Sequence, residues 1–331
     1  MIFVPVVDVD NTPLMPCHPA RARELIRKGK AVKKYRLGIY YIQLKYKKIP
    51  NNQEVVVGID PGSKKEAFTV MGAKHTFINI QTDAVTWVKD KIKKRRESRR
   101  TRRNRNTPCR ANKLNRKKGG LSPSTRARWQ LKMRILNILN GLYPITKVIV
   151  EDIKARTWKG SKKWNGSFSP LEVGKQWFYG WCQSKWELVT IQGFETAQLR
   201  QQLGLKKSSS KMSDKWDAHC VDSWTIANSV IGLSKPDNMR MLLLYPINFI
   251  RRQLHKLNPI KGGIRHEYGG TTGLIKKGAV VYHDNQLKIA GGCAAAGIEL
   301  KDMKGKRINK CISFKKVKVV VPHNSFGWAY A

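Results

Sequence analysis

The sequence predicts an α/β fold in which short buried strands alternate with helices. Two apolar runs, residues 54–60 and 147–150, have the composition of buried strands. Two further segments, residues 126–142 and 213–230, are predicted as helices. Hydrophobic residues make up 41% of the chain, which is enough to build a core around these elements.

The first 50 residues predict a small unit of their own. They contain an apolar strand over residues 2–9, a turn through Asn11, Thr12 and Pro13, and a short helix over residues 20–28 that Gly29 ends. Strands toward Leu44 follow, and Pro50, Asn51 and Asn52 mark the end of the unit.

The remaining elements are predicted in chain order. The strand over residues 54–60 opens a three-stranded meander, and the strand over residues 147–150 leads into Glu151. A helix that begins at Ser169 and a strand over residues 188–191 precede the helix over residues 213–230. After Pro236, strand signals separated by glycines indicate a small barrel with a basic surface; they cover residues 273–283, 286–289 and 311–321.

The charge balance limits the class of protein. There are 65 Lys and Arg residues against 22 Asp and Glu, a formal net charge of +43, so a nucleic acid is the expected partner. The 10 Trp and 10 Tyr residues argue against a disordered basic tail. The six cysteines form no CxxC pair, which indicates neither a zinc ribbon nor a disulfide framework. Without a leader or a membrane-spanning run, we expect a cytoplasmic protein that meets the nucleoid when it is on its target.

One segment is almost purely basic. Between residues 89 and 118, 16 of 30 residues are Lys or Arg, and only Asp90 and Glu97 oppose them. The simpler interpretation is a solvated charged helix or a disordered tail. The alternative is an arginine-rich helix that follows a phosphate backbone, which its position inside the chain favours.

Three of the few acidic residues, Asp60, Glu151 and Asp222, each lie in an apolar run. Two would end strands, whereas Asp222 would share a helix face with His219, and Asp217 would point about 140° away from Asp222. Such an oxygen-rich set is typical of sites that hold two Mg²⁺ or Mn²⁺ ions about 4 Å apart for phosphodiester hydrolysis. Each residue also has a simpler role: Asp60 in a turn, Glu151 paired with an arginine, and His219 in the core.

The order of these segments resembles that of a split RuvC-type nuclease, which has an RNase H-like fold. The resemblance depends on three motifs: Gly58-Ile59-Asp60-Pro61-Gly62, Val148-Ile149-Val150-Glu151 and His219-Cys220-Val221-Asp222. Thr12-Pro13-Leu14-Met15-Pro16, with the Ala20-Arg21-Ala22-Arg23 that follows, resembles the PLMP domain of the IscB family. The basic run is similar to the bridge helix of those transposon-associated OMEGA nucleases.

IscB proteins carry an HNH nuclease between the second and third RuvC segments. Here 71 positions separate Glu151 from Asp222, and no histidine lies between Glu151 and His219. The chain therefore resembles the HNH-lacking IsrB relatives. The implied domains are PLMP (1–52), RuvC segment I (53–88), bridge helix (89–118), RuvC segment II (119–153), connecting segment (154–212), RuvC segment III (213–235) and a basic C-terminal domain (236–331).

The resemblance implies an RNA-guided nickase of the non-target DNA strand. Asp60, Glu151 and Asp222 would bind two Mg²⁺ or Mn²⁺ ions, and His219 would ligate a metal or assist proton transfer. The partners would be a long structured guide RNA, with one protein chain per RNA, and double-stranded DNA with a short adjacent motif. The expected RNA contacts are Arg95, Arg96, Arg99, Arg100, Arg102 and Arg103; the weaker expected DNA or RNA contacts are Lys256, Lys261, Arg265, Lys276 and Lys277.

Two other functions remain compatible with the residues alone. An unguided RuvC-like nuclease, either a junction resolvase or a transposase-like enzyme, would use the same carboxylates. A catalytically dead nucleic-acid-binding protein would keep the fold and the basic surface without the metal chemistry.

Overall fold

The structure is a computed structural model that describes residues 3–104, 121–152, 169–247, 257–258, 263–264, 275–294, 296–322 and 324–331. It is mixed α/β with several sheets, in agreement with the predicted class. The chain forms two compact units, one of residues 1–241 with residue 331 and one of residues 242–330. Within the described residues, no helix is long and apolar enough to cross a membrane.

The first unit begins with a helix packed on a four-stranded sheet. Its elements are β1 (Val4–Val7), β2 (Pro13–Cys17), α1 (Pro19–Arg27), β3 (Ala31–Arg36) and β4 (Ile39–Leu44). The strand order is β2-β1-β4-β3, with β1 parallel to β4 and the other pairs antiparallel. Leu25 of α1 packs against Val6 and Ile42 of the strands. Gly29 follows α1 with a φ of +66°, a left-handed conformation that suits glycine at a helix end.

The same unit contains the sheet that was predicted around residues 54–60. Its strands are β5 (Val55–Asp60), β6 (Lys65–Gly72), β7 (Thr76–Asp83), β8 (Lys147–Glu151) and β9 (Glu187–Ile191). They are ordered β7-β6-β5-β8-β9. The meander β5-β6-β7 is antiparallel, as predicted, whereas β5, β8 and β9 are parallel. This arrangement is consistent with an RNase H-like core.

Five helices accompany this sheet in the described residues: α2 (Val88–Asn104), α3 (Pro123–Asn140), α4 (Ser169–Gln183), α5 (Gly193–Gln202) and α6 (Cys220–Ile231). The side chain of Ser122 caps α3 by accepting a hydrogen bond from the Thr125 amide at 3.4 Å. The apolar residues whose spacing predicted α3 are buried in the core; they are Trp129, Met133, Leu136 and Leu139.

Helix α6 lies directly on strands β5 and β6. A Cβ atom at Gly58 would stand 2.2 Å from the carbonyl oxygen of Ser223 and 2.6 Å from the amide nitrogen of Ala227, so only glycine permits this approach. The Ser223 hydroxyl lies 2.8 Å from that of Thr69, and both side chains are buried. The position of α6 over β5 is therefore set by backbone contact.

The structure corrects two predicted elements. Helix α6 begins at Cys220 and not near residue 213, so His219 occupies the N-cap and Asp217 precedes the helix. Ser213 and Asp214 are instead bound to strands of the sheet. Lys65 Nζ donates to Asp214 Oδ1 at 2.5 Å, and Gln81 Nε2 donates to the Ser213 carbonyl at 3.0 Å. Helix α5 was missed, since its polar and apolar residues are not segregated onto opposite faces.

The second unit contains short strands and a 3₁₀ helix. Apart from Met241, the first residue of β10, it holds the strands β10 (Met241–Pro246), β11 (Leu257–Asn258), β12 (Gly263–Ile264), β13 (Val280–His283), β14 (Gln286–Ala294), β15 (Gly297–Lys301), β16 (Arg307–Ile312), β17 (Lys318–Val321) and β18 (Phe326–Tyr330). β10 pairs antiparallel with β18, and five strands form an antiparallel sheet in the order β16-β15-β14-β13-β17. The sequence predicted a barrel; in the described residues β16 and β17 are the edges of this sheet, and the 3₁₀ helix Phe314–Lys316 lies between them in the chain.

Candidate active site

Two of the three predicted carboxylates lie at the carboxyl ends of two neighbouring strands. Asp60 is the last residue of β5 and Glu151 is the last residue of β8. These strands are parallel neighbours in which Ile59 pairs with Val150. Asp60 and Glu151, the next residue of each strand, therefore lie at the same end of the sheet. The pairing of the two buried strands thus brings the two carboxylates together.

The third carboxylate comes from helix α6. Asp222 lies in the first turn of α6, and the residue is only 3% exposed to solvent. Because α6 contacts β5 at Gly58, its first turn lies near the carboxyl end of that strand. Three segments that are distant in the sequence therefore contribute to one region.

The three carboxylates influence one another electrostatically. Burial, followed by the negative charges of Asp60 and Asp222, raises the pKa of Glu151 to about 7, against the lowering effect of Lys207 and Arg200. A like charge at close range disfavours ionisation, so this shift is the expected result of gathering carboxylates in a partly desolvated place. Within the described residues Glu151 makes no ion pair, which leaves it sensitive to its acidic neighbours.

Two basic side chains neutralise Asp222. Arg200 Nη1 on α5 lies 2.5 Å from Asp222 Oδ1, and Lys207 Nζ, from the loop after α5, contacts Asp222 Oδ2. Each oxygen of the carboxylate therefore forms an ion pair with a basic side chain. Sequence reasoning missed these two residues, and no local signal could have singled them out among 65 Lys and Arg.

His219 connects Asp60 to the loop before α6. Its Nε2 lies 3.0 Å from the Lys211 carbonyl oxygen, and its Nδ1 lies 3.4 Å from Asp60 Oδ2. A carbonyl oxygen only accepts, so Nε2 carries a hydrogen, and the hydrogen bond to the Asp60 carboxylate raises the pKa of His219. This geometry favours an imidazolium that donates from both nitrogens, which suits holding or moving a proton better than ligating a metal.

A fourth carboxylate lies beside the site and was not predicted. Glu66 on β6 is fully buried, and its Oε1 accepts from Lys132 Nζ of α3 at 2.8 Å. Burial raises the pKa of Glu66 against the lowering effect of Lys132, and the charge of Asp60 raises it too. The pair joins β6 to α3 within the core.

Asp152 follows Glu151 in the sequence but serves a different purpose. Its carboxylate pairs with Lys175 Nζ at 2.7 Å and accepts from Tyr179 at 3.1 Å, and both partners are on α4. Burial alone would raise the pKa of Asp152, but these partners lower it. Asp152 therefore attaches α4 to the end of β8, while Glu151 belongs with Asp60.

The residues are suited to a divalent cation by their chemistry. In the part of the chain that the structure describes, no three His, Cys, Asp or Glu side chains are gathered closely enough to hold a metal ion. The donor set nevertheless consists of the carboxylate oxygens that Mg²⁺ and Mn²⁺ prefer. Negative neighbours raise the pKa of Glu151, and two cations contact Asp222, so positive charge stabilises the ionised carboxylates in this region.

The predicted RNA contacts lie on α2 where they are described. Arg95, Arg96, Arg99, Arg100 and Arg103 are exposed and, within the described residues, make no ion pair. Arg102 is on the same helix, but its side chain lies outside the described residues, as do residues 105–118 of the predicted bridge helix. In the second unit Lys276 is exposed and Lys277 is half-buried, while Lys256, Lys261 and Arg265 lie outside the described residues. The roles of all these residues remain predictions.

Comparisons with known proteins give a family match and a structural similarity. Residues 4–163, a little under half of the chain, match the model of a family described as RRXRR protein. Residues 99–103 of α2 read Arg-Arg-Thr-Arg-Arg. No curated protein matches the chain. Among solved structures, it is similar to T. thermophilus RuvC in complex with a Holliday junction substrate, at 14% identity over 53% of this chain and 90% of that one, with a TM-score of 0.27.

Proposed function

We propose that this chain is a metal-dependent DNA endonuclease of the RuvC type. The observation that supports it best is the approach of Asp60, Glu151 and Asp222, which come from three distant segments and whose charges act on one another. Bound there, divalent cations would activate water for in-line attack on a phosphodiester and stabilise the leaving oxygen. Asp60, Glu151 and Asp222 would hold them.

The remaining residues have roles that follow from their contacts. His219 donates to Asp60 and so restrains the orientation of that carboxylate, and as an imidazolium it can release a proton to the leaving oxygen. Asp152, through Lys175 and Tyr179, fixes the end of β8 and with it the position of Glu151. Gly58 lets α6 approach β5 closely enough for Asp222 to reach the same region.

We further propose that the enzyme is guided by RNA and nicks the non-target DNA strand. Support comes from the exposed arginines of α2, from the net charge of +43, and from the sequence resemblance to IsrB. A guide RNA on α2 and the adjacent basic surface would pair with one DNA strand, and the displaced strand would reach the carboxylates. A short DNA motif would be read by the basic C-terminal region.

The test is nicking by Asp60→Asn. Because the variant removes one proposed metal ligand, we expect nicking of a supercoiled plasmid in Mg²⁺ to fall by at least about 100-fold, more than loss of a residue that merely supports a ligand. Asp217→Asn, the same change in the segment before α6, is the control and should retain nicking. Persistent nicking by Asp60→Asn would overturn the site assignment.

RNA guidance has its own test, which is sequencing of the RNA that co-purifies with the protein expressed from its native locus. A defined RNA that directs nicking to a matching plasmid supports the guided function. Nicking without any defined RNA would favour the unguided nuclease instead. RNA binding without nicking in Mg²⁺ would favour a catalytically dead binding protein, for which the paired state of Asp222 is the specific argument.

A further inference from the structure

Asp222 is held by two cations that both come from one segment of the chain. Arg200 lies on α5 and Lys207 lies seven residues later, and each contacts a different oxygen of the carboxylate. The Asp222 side chain is 5% exposed, whereas that of Lys207 is 41% exposed and can leave its contact toward solvent. We call Arg200 and Lys207 the cation pair.

The cation pair occupies the oxygens that a metal ion would need. A carboxylate ligates Mg²⁺ or Mn²⁺ through the same lone pairs that accept hydrogen bonds from Arg and Lys. A metal ion can therefore bind Asp222 fully only after at least one of the two side chains withdraws. Its apparent affinity is reduced by the fraction of molecules in which the contact is open.

We infer that the cation pair and the divalent metal compete for Asp222, and that the displaced side chains bind phosphates of the strand to be cut. This inference rests on the proposed function. Guanidinium and ammonium groups are the side chains that bind phosphate most strongly, and here they would be released beside the carboxylates. A phosphate that draws the cation pair away frees Asp222 for the metal, so each ligand strengthens the binding of the other.

The competition is tested on the full chain without nucleic acid by titrating Mn²⁺ and measuring the free ion by electron paramagnetic resonance. Lys207→Gln should bind Mn²⁺ about fivefold more tightly than the unchanged protein, because a competitor has been removed. Lys206→Gln removes the same charge from the neighbouring, exposed position and controls for general electrostatics. Equal affinity of the Lys207→Gln and Lys206→Gln variants would overturn the inference.

Further variants separate this inference from the proposed function. Arg200→Gln should also bind Mn²⁺ more tightly, while Arg200→Lys, which keeps the charge, should stay close to the unchanged protein. Asp222→Asn should lose the Mn²⁺ site. If Asp222→Asn leaves Mn²⁺ binding unaltered, the proposed metal centre fails together with the inference; if it abolishes binding while Lys207→Gln has no effect, only the competition fails.

The coupling to nucleic acid is measured with a fluorescein-labelled single-stranded DNA by anisotropy, in Ca²⁺ and in EDTA at matched ionic strength. Ca²⁺ accepts carboxylate ligands and permits binding to be measured separately from cleavage. We expect the ratio of DNA affinities with and without Ca²⁺ to be about fivefold higher in the Lys206→Gln protein than in the Lys207→Gln protein. The same ratio in both variants would contradict the coupling.

Discussion

The carboxylates of the candidate site and the arginines of α2 differ in the burial and the pairing of their charges. Asp60, Asp222 and the adjacent Glu66 are buried, and each carboxylate pairs with a basic side chain from another part of the chain. The arginines of α2 are exposed and, within the described residues, make no ion pair. Buried charge is costly unless it is paired, whereas exposed charge is solvated and remains available to a ligand. The acidic region is therefore a product of folding, whereas the arginines of α2 stay exposed to solvent, as the proposed contact with RNA needs.

The largest effect is expected when a buried carboxylate loses its cationic partner. Lys132→Met leaves Glu66 buried without its cation and should lower the free energy of unfolding by about 3–5 kcal/mol in urea melts. Lys94→Met on α2, an exposed lysine, should change it by less than about 0.5 kcal/mol. Recovery in the Glu66→Gln, Lys132→Met double variant would confirm the cause, and equal effects of the two single changes would refute the distinction.

The second prediction concerns how α6 is held against the sheet. Gly58→Ala places a methyl group against backbone atoms of Ser223 and Ala227, which cannot move without shifting the helix. We expect a loss of about 1–3 kcal/mol in urea melts together with a lower nicking rate, because Asp222 moves with α6. Gly180→Ala, where a methyl group meets no atom, is the matched control. Unchanged stability of the Gly58→Ala variant would show that this contact does not fix α6.

The third prediction is a pH dependence. Burial and the neighbouring carboxylates raise the pKa of Glu151 from an ordinary value of 4.5 to about 7, so the folded protein holds a proton that the unfolded chain releases. The charged form opposes folding: stability falls as pH rises from about 4.5 to about 7, and the cost is complete above that range.

Glu151→Gln should therefore stabilise the metal-free protein at pH 8 and have little effect at pH 4.5. The gain is on the order of 1–2 kcal/mol, reduced because the side chain is only partly buried. Thermal melts in EDTA at both pH values measure it. A gain of the same size at both pH values would assign the effect to packing and not to the carboxylate charge.

The smallest expected effect is on α2. Arg99→Gln should reduce the slope of log affinity for single-stranded RNA against log salt by about 0.7, as for the loss of one phosphate contact. Filter binding between 50 and 200 mM salt, about the range over which such contacts are resolved, provides the measurement. Glu97→Gln, on the same helix, should not lower the slope. A steeper or unchanged slope for Arg99→Gln would remove that residue from the interface.

Much of the candidate site could be predicted from local pattern. Apolar runs located β5 and β8 and the carboxylates at their carboxyl ends. The parallel pairing of these two strands, which brings Asp60 and Glu151 together, is a finding of the structure. The start of α6 could not be predicted, because Lys65 and Gln81, from distant strands, hold residues 213 and 214 outside the helix. The geometry assumed for His219 and Asp217 on a helix face was therefore wrong, although Asp222 does lie on α6.

The order of the three acidic segments, the strands that end in Asp60 and Glu151, and the strong excess of positive charge can all be read from the amino-acid sequence. Which cation meets which carboxylate depends on the packing of elements that are distant in the chain. Lys132 reaches Glu66 across 66 positions of the chain, and Arg200 reaches Asp222 across 22. Periodicity is a local property that each segment carries alone, whereas the partner of a buried charge depends on which elements pack together.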